Sequence, residues 1–388
     1  MSVIHKQLQG QFQHQLDIVN QDKWLLSCLT WIPLVLALSI WGIFSAGIAR
    51  DLPIGVVDLS HSSLSQKLIR QFDASSTLSV DETFTDVYQA KQALIESRVY
   101  AYVIIPHDFD KGIMQRSLPQ VSTFYNSQYI LVGRLISSAV MQTMGYFNAS
   151  IETLQQLSSG DMTTVAAMGK AVPISTQITA LFNRNTNYAQ FLVSAIVPAL
   201  WQVVIVVSTI LILSANYRRY SRLSDWLGAN PFTTLVNTLK GYVAVFAVQG
   251  AMFLAWFYYW LNWPLQGSLI PVLVAQLAMI LACISVGCLF FLLTLDATRA
   301  MSFAGAFTAP SFAFMGVTFP ATDMNVLAQW WRSLLPVSHY IEVQISQVSY
   351  ALPALDSYRY LIPMLGYLVV VVVCLALIKK RCQQEESL

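Results

Sequence analysis

Three polar side chains in an otherwise apolar stretch have the right types for chemistry: Asp323, His339 and Glu342. His339 and Glu342 stand three apart and can share one helix face. That spacing suits a metal ion or an acid–base pair. It equally suits the solvated face of a helix at a membrane surface. Elsewhere the candidates thin out. His61 and His107 each follow a predicted strand and read as polar turn residues. Gly169-Lys170 looks like the end of a phosphate loop, but position 164 is Thr where that motif requires Gly. Asn148-Ala149-Ser150 matches a glycosylation triplet, a short pattern that also arises by chance. The chain has no G-x-S-x-G, no H-E-x-x-H and no complete Walker A loop. Its five cysteines include no C-x-x-C pair, and none lies between Arg50 and Asn187. A disulfide-stapled outer domain and a cysteine zinc site are therefore both unexpected.

The elements that must position any such residues are mostly apolar. Of 388 residues, 55% are hydrophobic and only 11% charged, against about 25% charged in soluble domains. Mean hydropathy is +0.54. This excludes an ordinary cytosolic enzyme, and a net charge of +2 argues against a nucleic-acid partner. The expected fold class is an α-helical polytopic membrane protein. Six stretches reach the ~20 apolar residues that a span needs: 24–49, 188–215, 241–263, 269–295, 300–319 and 360–378. The first is too long for a signal-peptide core and reads as an uncleaved span. The segment 320–358 holds Pro320, Pro336 and Pro353 with several charges, and fits a re-entrant or interfacial helical pair better than a span.

Basic residues set the orientation. Lys6 and Lys23 precede the first span. Arg218, Arg219, Arg222 and Lys240 bracket the loop 216–240. Lys379, Lys380 and Arg381 open the tail 379–388. All fall on one side if both termini are cytoplasmic, which places 50–187 outside. Within that outer segment, β-branched runs alternate with helical ones up to about Tyr125, the pattern of a small α/β domain with a largely parallel sheet. A long helix over about 128–157 follows.

Residues 1–23 place Ile4, Leu8, Phe12, Leu16 and Val19 at helical spacing among polar neighbours. This is an amphipathic helix that rests on the inner membrane surface, docks a cytoplasmic partner, or does both. Leu8, Phe12 and Leu16 form its candidate docking stripe.

The spans contain almost no ionisable residue, although ion-coupled transporters usually bury one at mid-membrane. Gln202, Gln249, Asn262 and Gln276 are their main polar groups and read as hydrogen bonds between helices. With no ion motor and no nucleotide loop, energy for uphill transport must come from a partner. Trp24 suits the interfacial aromatic belt. Trp31 and Trp41 lie deeper, where they pack against helices and lipid or line an apolar path.

One span, an outer α/β domain and five further spans form a pattern that resembles the permease subunit of type-2 ABC exporters, over nearly the whole chain. Local matches are Pro53-Ile54-Gly55-Val56-Val57-Asp58 followed by Ser63-Leu64-Ser65, Tyr102-Val103-Ile104-Ile105-Pro106 with Asp108-Phe109, Phe182-Asn183, Phe319-Pro320 and Leu335-Pro336. The resemblance implies a dimer of permeases, or a pair with a similar chain. It also implies two cytoplasmic ABC ATPase subunits that supply ATP and magnesium chemistry, with no cofactor or metal in this chain. Motion would enter through the loop between the second and third spans. There Arg218, Arg219, Arg222, Asp225, Trp226, Leu227, Pro231 and Lys240 are the candidate coupling residues. Asp225 and Pro231 fall where the family has an acid and a proline. Tyr220 and Arg222-Leu223 stand where it commonly has Glu and Gly-Thr. Spans one, two and five would line the path, with Trp31, Phe191, Phe312 and Phe314 as candidates. An aromatic path without fixed charge suits hydrophobic or amphipathic cargo, such as a drug, a lipid or a lipid-linked molecule. A bacterial inner membrane, a periplasmic adaptor and surrounding lipids complete the expectation. The other reading is a membrane-anchored receptor or scaffold that uses the outer domain as a binding module.

Overall fold

The computed structural model describes residues 13–47, 49–115, 117, 119–158, 163, 166, 168, 181–183, 187–228 and 230–386. Leu8, Phe12, Thr164, Gly169 and Lys170 lie outside the described residues. The chain divides into two compact units, one of Met1–Gly47 with Ala180–Leu388 and one of Ile48–Thr179.

The smaller unit alternates strand and helix, as its sequence pattern predicts. Strands β1 (Leu52–Asp58), β2 (Leu78–Phe84), β3 (Ala101–Ile105) and β4 (Ser122–Tyr125) form one sheet in the order β2-β1-β3-β4. β1 runs parallel to β2 and β3, and β4 closes the edge antiparallel to β3. β1 is central and buried on both faces, so it carries a nearly continuous apolar run. Gly55 is required there, because a Cβ would lie 2.4 Å from the Phe84 ring. Ser62 starts the following helix, Ser63–Asp73, through a reciprocal capping box with Ser65. The long helix Ile130–Ser158 covers one face with Ile136 and Phe147, which pack into a core with Ile54, Phe72 and Phe109.

The larger unit is helical. We label its helices in chain order: α1 (13–21), α2 (Lys23–Leu29), α3 (Trp31–Phe44), α4 (Tyr188–Tyr220), α5 (Leu223–Leu227), α6 (Pro231–Ala255), α7 (Leu269–Thr294), α8 (Ala297–Thr308), α9 (Ser311–Phe314), α10 (Val326–Ser333), α11 (Pro336–Val348), α12 (Ala354–Tyr358) and α13 (Tyr367–Glu386). A π-helical turn, Trp256–Trp260, extends α6, and a 3₁₀ stretch, Arg359–Gly366, joins α12 to α13. Among the described residues, four helical stretches are long and apolar enough to cross a membrane: Tyr188–Tyr220, Pro231–Trp260, Leu269–Thr294 and Ala354–Glu385. The pair α2 and α3 makes a fifth if its 50° bend is counted within one span.

That bend has a local cause. Pro33 has no amide hydrogen, and its ring opposes the carbonyl four residues earlier, which belongs to Leu29. The helix breaks there, and the freed Leu29 carbonyl accepts a bond from Gln249 Nε2 at 2.7 Å. Gln249 Oε1 in turn accepts from Trp201 Nε1 at 3.0 Å. One amide thus joins α2, α4 and α6, the helix-to-helix role expected of Gln249. Gln202 does the same elsewhere, donating to Ser311 Oγ at 3.0 Å and accepting from the Val337 amide at 2.9 Å.

The expected fifth span, 300–319, is not one helix. α8 is 12 residues long and stops before Pro310, and α9 adds only Ser311–Phe314. Twelve residues rise about 18 Å, short of the ~30 Å hydrocarbon core. The two helices expected within 320–358 differ in burial. α10 has no buried residue, whereas α11 is buried along most of its length. α4 and α7 form the centre of the unit, and α11 packs against both.

Candidate coupling site

The loop between α4 and α6 begins where α4 ends in two arginines. Arg218 and Arg219 occupy its last turn, where cations favour the carbonyl end of a helix. Ser221 then adopts a left-handed conformation, φ 64°, and turns the chain. α5 follows, with Leu223, Trp226 and Leu227 buried in the unit's core and Asp225 exposed. Five residues cannot hold a helix in water by themselves, so tertiary contacts define α5. Gly228, at φ 58°, ends it. Pro231 begins α6 at a first-turn position, where its missing amide costs no hydrogen bond. The Thr234 hydroxyl closes the turn by donating to the Leu227 carbonyl at 3.0 Å.

The start of α5 is capped from the far end of the chain. Glu385 accepts from the Leu223 amide through one carboxylate oxygen, and from the Ser224 amide and hydroxyl through the other, all at 3.0 Å. These are two of the amide donors that a helix start leaves without intrahelical partners. Glu385 lies in the polar tail, beyond Ile378, where the apolar run ends. Partial burial raises its carboxyl pKa, but the bonds from Leu223 and Ser224 and the charge of Arg222 outweigh that and hold it below the ordinary value. The tail is tied a second time, through Arg381, which donates to the Leu293 carbonyl at the end of α7 at 3.0 Å.

The N-terminal helix meets the same end of the unit. The Gln15 amide donates to Asn216 Oδ1 at 3.1 Å, and its oxygen accepts from the Tyr242 hydroxyl at 3.2 Å. Ile18 is buried, whereas Leu16 is 46% exposed. Of the expected apolar stripe, Leu16 therefore faces away from the protein. Asp22 caps α2 by accepting from the Trp24 and Leu25 amides, and lies 3.6 Å from Arg218.

The predicted coupling residues thus divide. Trp226 and Leu227 anchor α5. Asp225, Arg219, Arg222 and Arg218 face outward, and Lys240 sits more than two turns into α6, donating to Asn237 at 3.0 Å. Sequence reasoning missed Glu385, Asp22 and Gln15. Asp22 carried a signal, a capping residue before a helix. Glu385 carried none, being 162 residues from its partner Leu223.

The path candidates differ in exposure. Trp31 is 55% exposed and Phe191 41% exposed, while Phe312 and Phe314 are partly buried against the unit's core. Phe191 lines a cleft of about 310 Å³ with Gln190, Ser194, Gly316 and Gln344. Of the polar trio Asp323, His339 and Glu342, the last two make contacts that join chain segments. Glu342 pairs with Arg332 at 2.6 Å, joining α10 to α11, and His339 Nε2 is 3.0 Å from the Ser333 carbonyl. Among the described residues, no group of three or more metal-ligating side chains exists.

A family model described as ABC-2 family transporter protein matches residues 23–378. The chain therefore belongs to the ABC-2 family of transporter proteins. No curated relative and no solved structure matches it significantly.

Proposed function

We propose that this ABC-2 family chain is the permease subunit of an ATP-driven exporter, and that α5 receives the motion of a separate ATPase subunit. The carrying observation is the mounting of α5. Its apolar residues Leu223, Trp226 and Leu227 are sunk in the core, its start is held by Glu385, and Asp225 is presented outward. A short helix fixed at both ends moves with the helices on either side. A push on Asp225 then passes into α4 and α6 rather than into a loop.

In this reading ATP and magnesium act in the partner subunit, and this chain performs no hydrolysis. Two copies, or this chain and a similar one, enclose an apolar path to which Trp31, Phe191, Phe312 and Phe314 contribute. The cargo is hydrophobic or amphipathic. The basic residues at the end of α4 and in the tail support a cytoplasmic position for that end, in what this reading takes to be a bacterial inner membrane. Both termini then lie inside. The unit Ile48–Thr179 lies outside, where it is free to meet a periplasmic adaptor, and 320–358 forms the re-entrant segment of the outer leaflet. Leu16, with Leu8 and Phe12, offers an apolar stripe to the inner leaflet or to the ATPase. The receptor reading gains no support from a capped helix that presents an acid at the basic end of the membrane unit.

The test is co-expression with candidate ATPases. Stoichiometric capture, with hydrolysis that depends on the permease, supports the proposal. A stable oligomer that captures no ATPase contradicts it.

A further inference from the structure

We propose that a groove formed by α6, α7 and α13 holds the acyl chain of one anionic glycerophospholipid, with its phosphate against Lys240 and Lys379. The groove has a volume of about 670 Å³ and is lined by side chains such as Phe232, Leu239, Leu281, Leu365 and Leu375. That size lies within the usual range of ~300–1,000 Å³ for small-molecule sites. Its wall is almost wholly apolar, apart from Lys240, Ser285 and the Tyr367 ring. It adjoins a cleft of about 500 Å³ that shares Phe232 and Leu375 with it and adds Asn230, Lys379 and Gln383. The combined cavity is thus polar and basic at one end and apolar beyond, as a phospholipid is.

Two observations select this occupant. The first is charge. Lys240 and Lys379 are both exposed, and among the described residues neither has a carboxylate within ion-pair distance. Lys240 reaches back one turn toward the start of α6 to meet Asn237 at 3.0 Å. That is the direction a lysine takes to reach a headgroup while its stem stays in hydrocarbon. A phosphate is the complement of such unpaired lysines, one on the groove wall and one in the adjoining cleft, and a neutral lipid or an apolar peptide is not.

The second is the exposure of α13. Only 17% of the most apolar window in its span is buried in the protein, against 39% to 72% for the other three candidate spans. Yet its tail carries the Arg381 and Glu385 contacts. A chain in the groove fills the space that protein leaves open between α13 and its neighbours. None of Trp31, Phe191, Phe312 and Phe314 lines the groove, so this site is distinct from the proposed cargo path.

The test uses the full chain, purified in mild detergent and offered equal dioleoyl phosphatidylglycerol and dioleoyl phosphatidylcholine, with retained lipid counted by native mass spectrometry. The expected result is one phosphatidylglycerol per chain, kept in preference to phosphatidylcholine. Removing the charge with K240Q and K379Q is expected to weaken phosphatidylglycerol retention roughly fivefold per lysine. Both side chains are exposed, so the double variant folds. Ser285→Trp, which fills the groove, is expected to retain neither lipid. Equal retention of both lipids by the native chain, retention of none, or unchanged preference in the K240Q/K379Q variant overturns the proposal.

Discussion

Glu385 holds Ser224 by two bonds, accepting from its amide and its hydroxyl, each at 3.0 Å. A residue near the end of the chain thereby fixes the start of a five-residue helix between two long ones. The cap also takes the Leu223 amide, so its removal leaves two helix-start donors to water. Glu385→Ala is expected to cost about 0.5–2 kcal/mol locally, as other helix caps do. Hydrogen exchange over 221–228 is expected to speed up while α4 and α7 stay protected. Unchanged exchange in that segment would show that Glu385 holds nothing.

Gln249 answers the break at Pro33. Replacing it by Leu leaves the Leu29 carbonyl and the Trp201 indole without their partner. Hydrogen bonds between membrane helices are worth about 0.6–2 kcal/mol, and thermal unfolding in detergent is expected to register a loss of that order. In Pro33→Ala the carbonyl regains an intrahelical donor, so Gln249→Leu is expected to cost less there. Equal costs in the two backgrounds would mean that the bend and the amide are unrelated.

Arg332 and Glu342 are each mostly buried, with side chains 14% and 28% exposed. Arg332→Met is expected to destabilise the protein by about 1–3 kcal/mol, because it strands a carboxylate in a poorly solvated site. Adding Glu342→Gln is expected to recover part of that loss. If Glu342→Gln alone instead abolishes function at full stability, the acid has a chemical role that this ion pair does not explain.

Trp226 and Asp225 are neighbours with opposite duties. Trp226 is buried and Asp225 exposed. Trp226→Ala is expected to cost about 3–5 kcal/mol of packing, as large aromatic truncations do, and to lower the yield of folded protein. Asp225→Arg is expected to leave the unfolding temperature within about a degree, since exposed substitutions stay within ±0.5 kcal/mol. Comparable yields from the two variants would contradict the division of α5 into anchors and a contact.

What the sequence made legible follows from how local each signal was. The strand–helix alternation around Val56 and Val103 is written in short apolar runs, and those strands form where expected. The long apolar stretches behind α4 and α7 are equally plain. The stretch 300–319 misled because hydropathy counts apolar residues and ignores Pro310, which limits α8 to 12 residues. In the site, Asp225 and Pro231 were legible as an acid and a proline in a basic loop. The buried status of Trp226 was not, since a five-residue segment has too little periodicity to show a face. Glu385, Gln15 and the Arg332–Glu342 pair depend on chain segments meeting across the fold, and nothing in local spacing announces such a meeting.

The most direct measurement of the coupling role is ATP hydrolysis by a co-purified ATPase subunit, with the native chain and with Asp225→Arg in lipid nanodiscs. The account predicts that the native chain stimulates hydrolysis, and that Asp225→Arg removes the stimulation while its expression and unfolding temperature stay normal. Full stimulation by a folded Asp225→Arg chain would contradict it and take α5 out of the path by which the ATPase drives this protein.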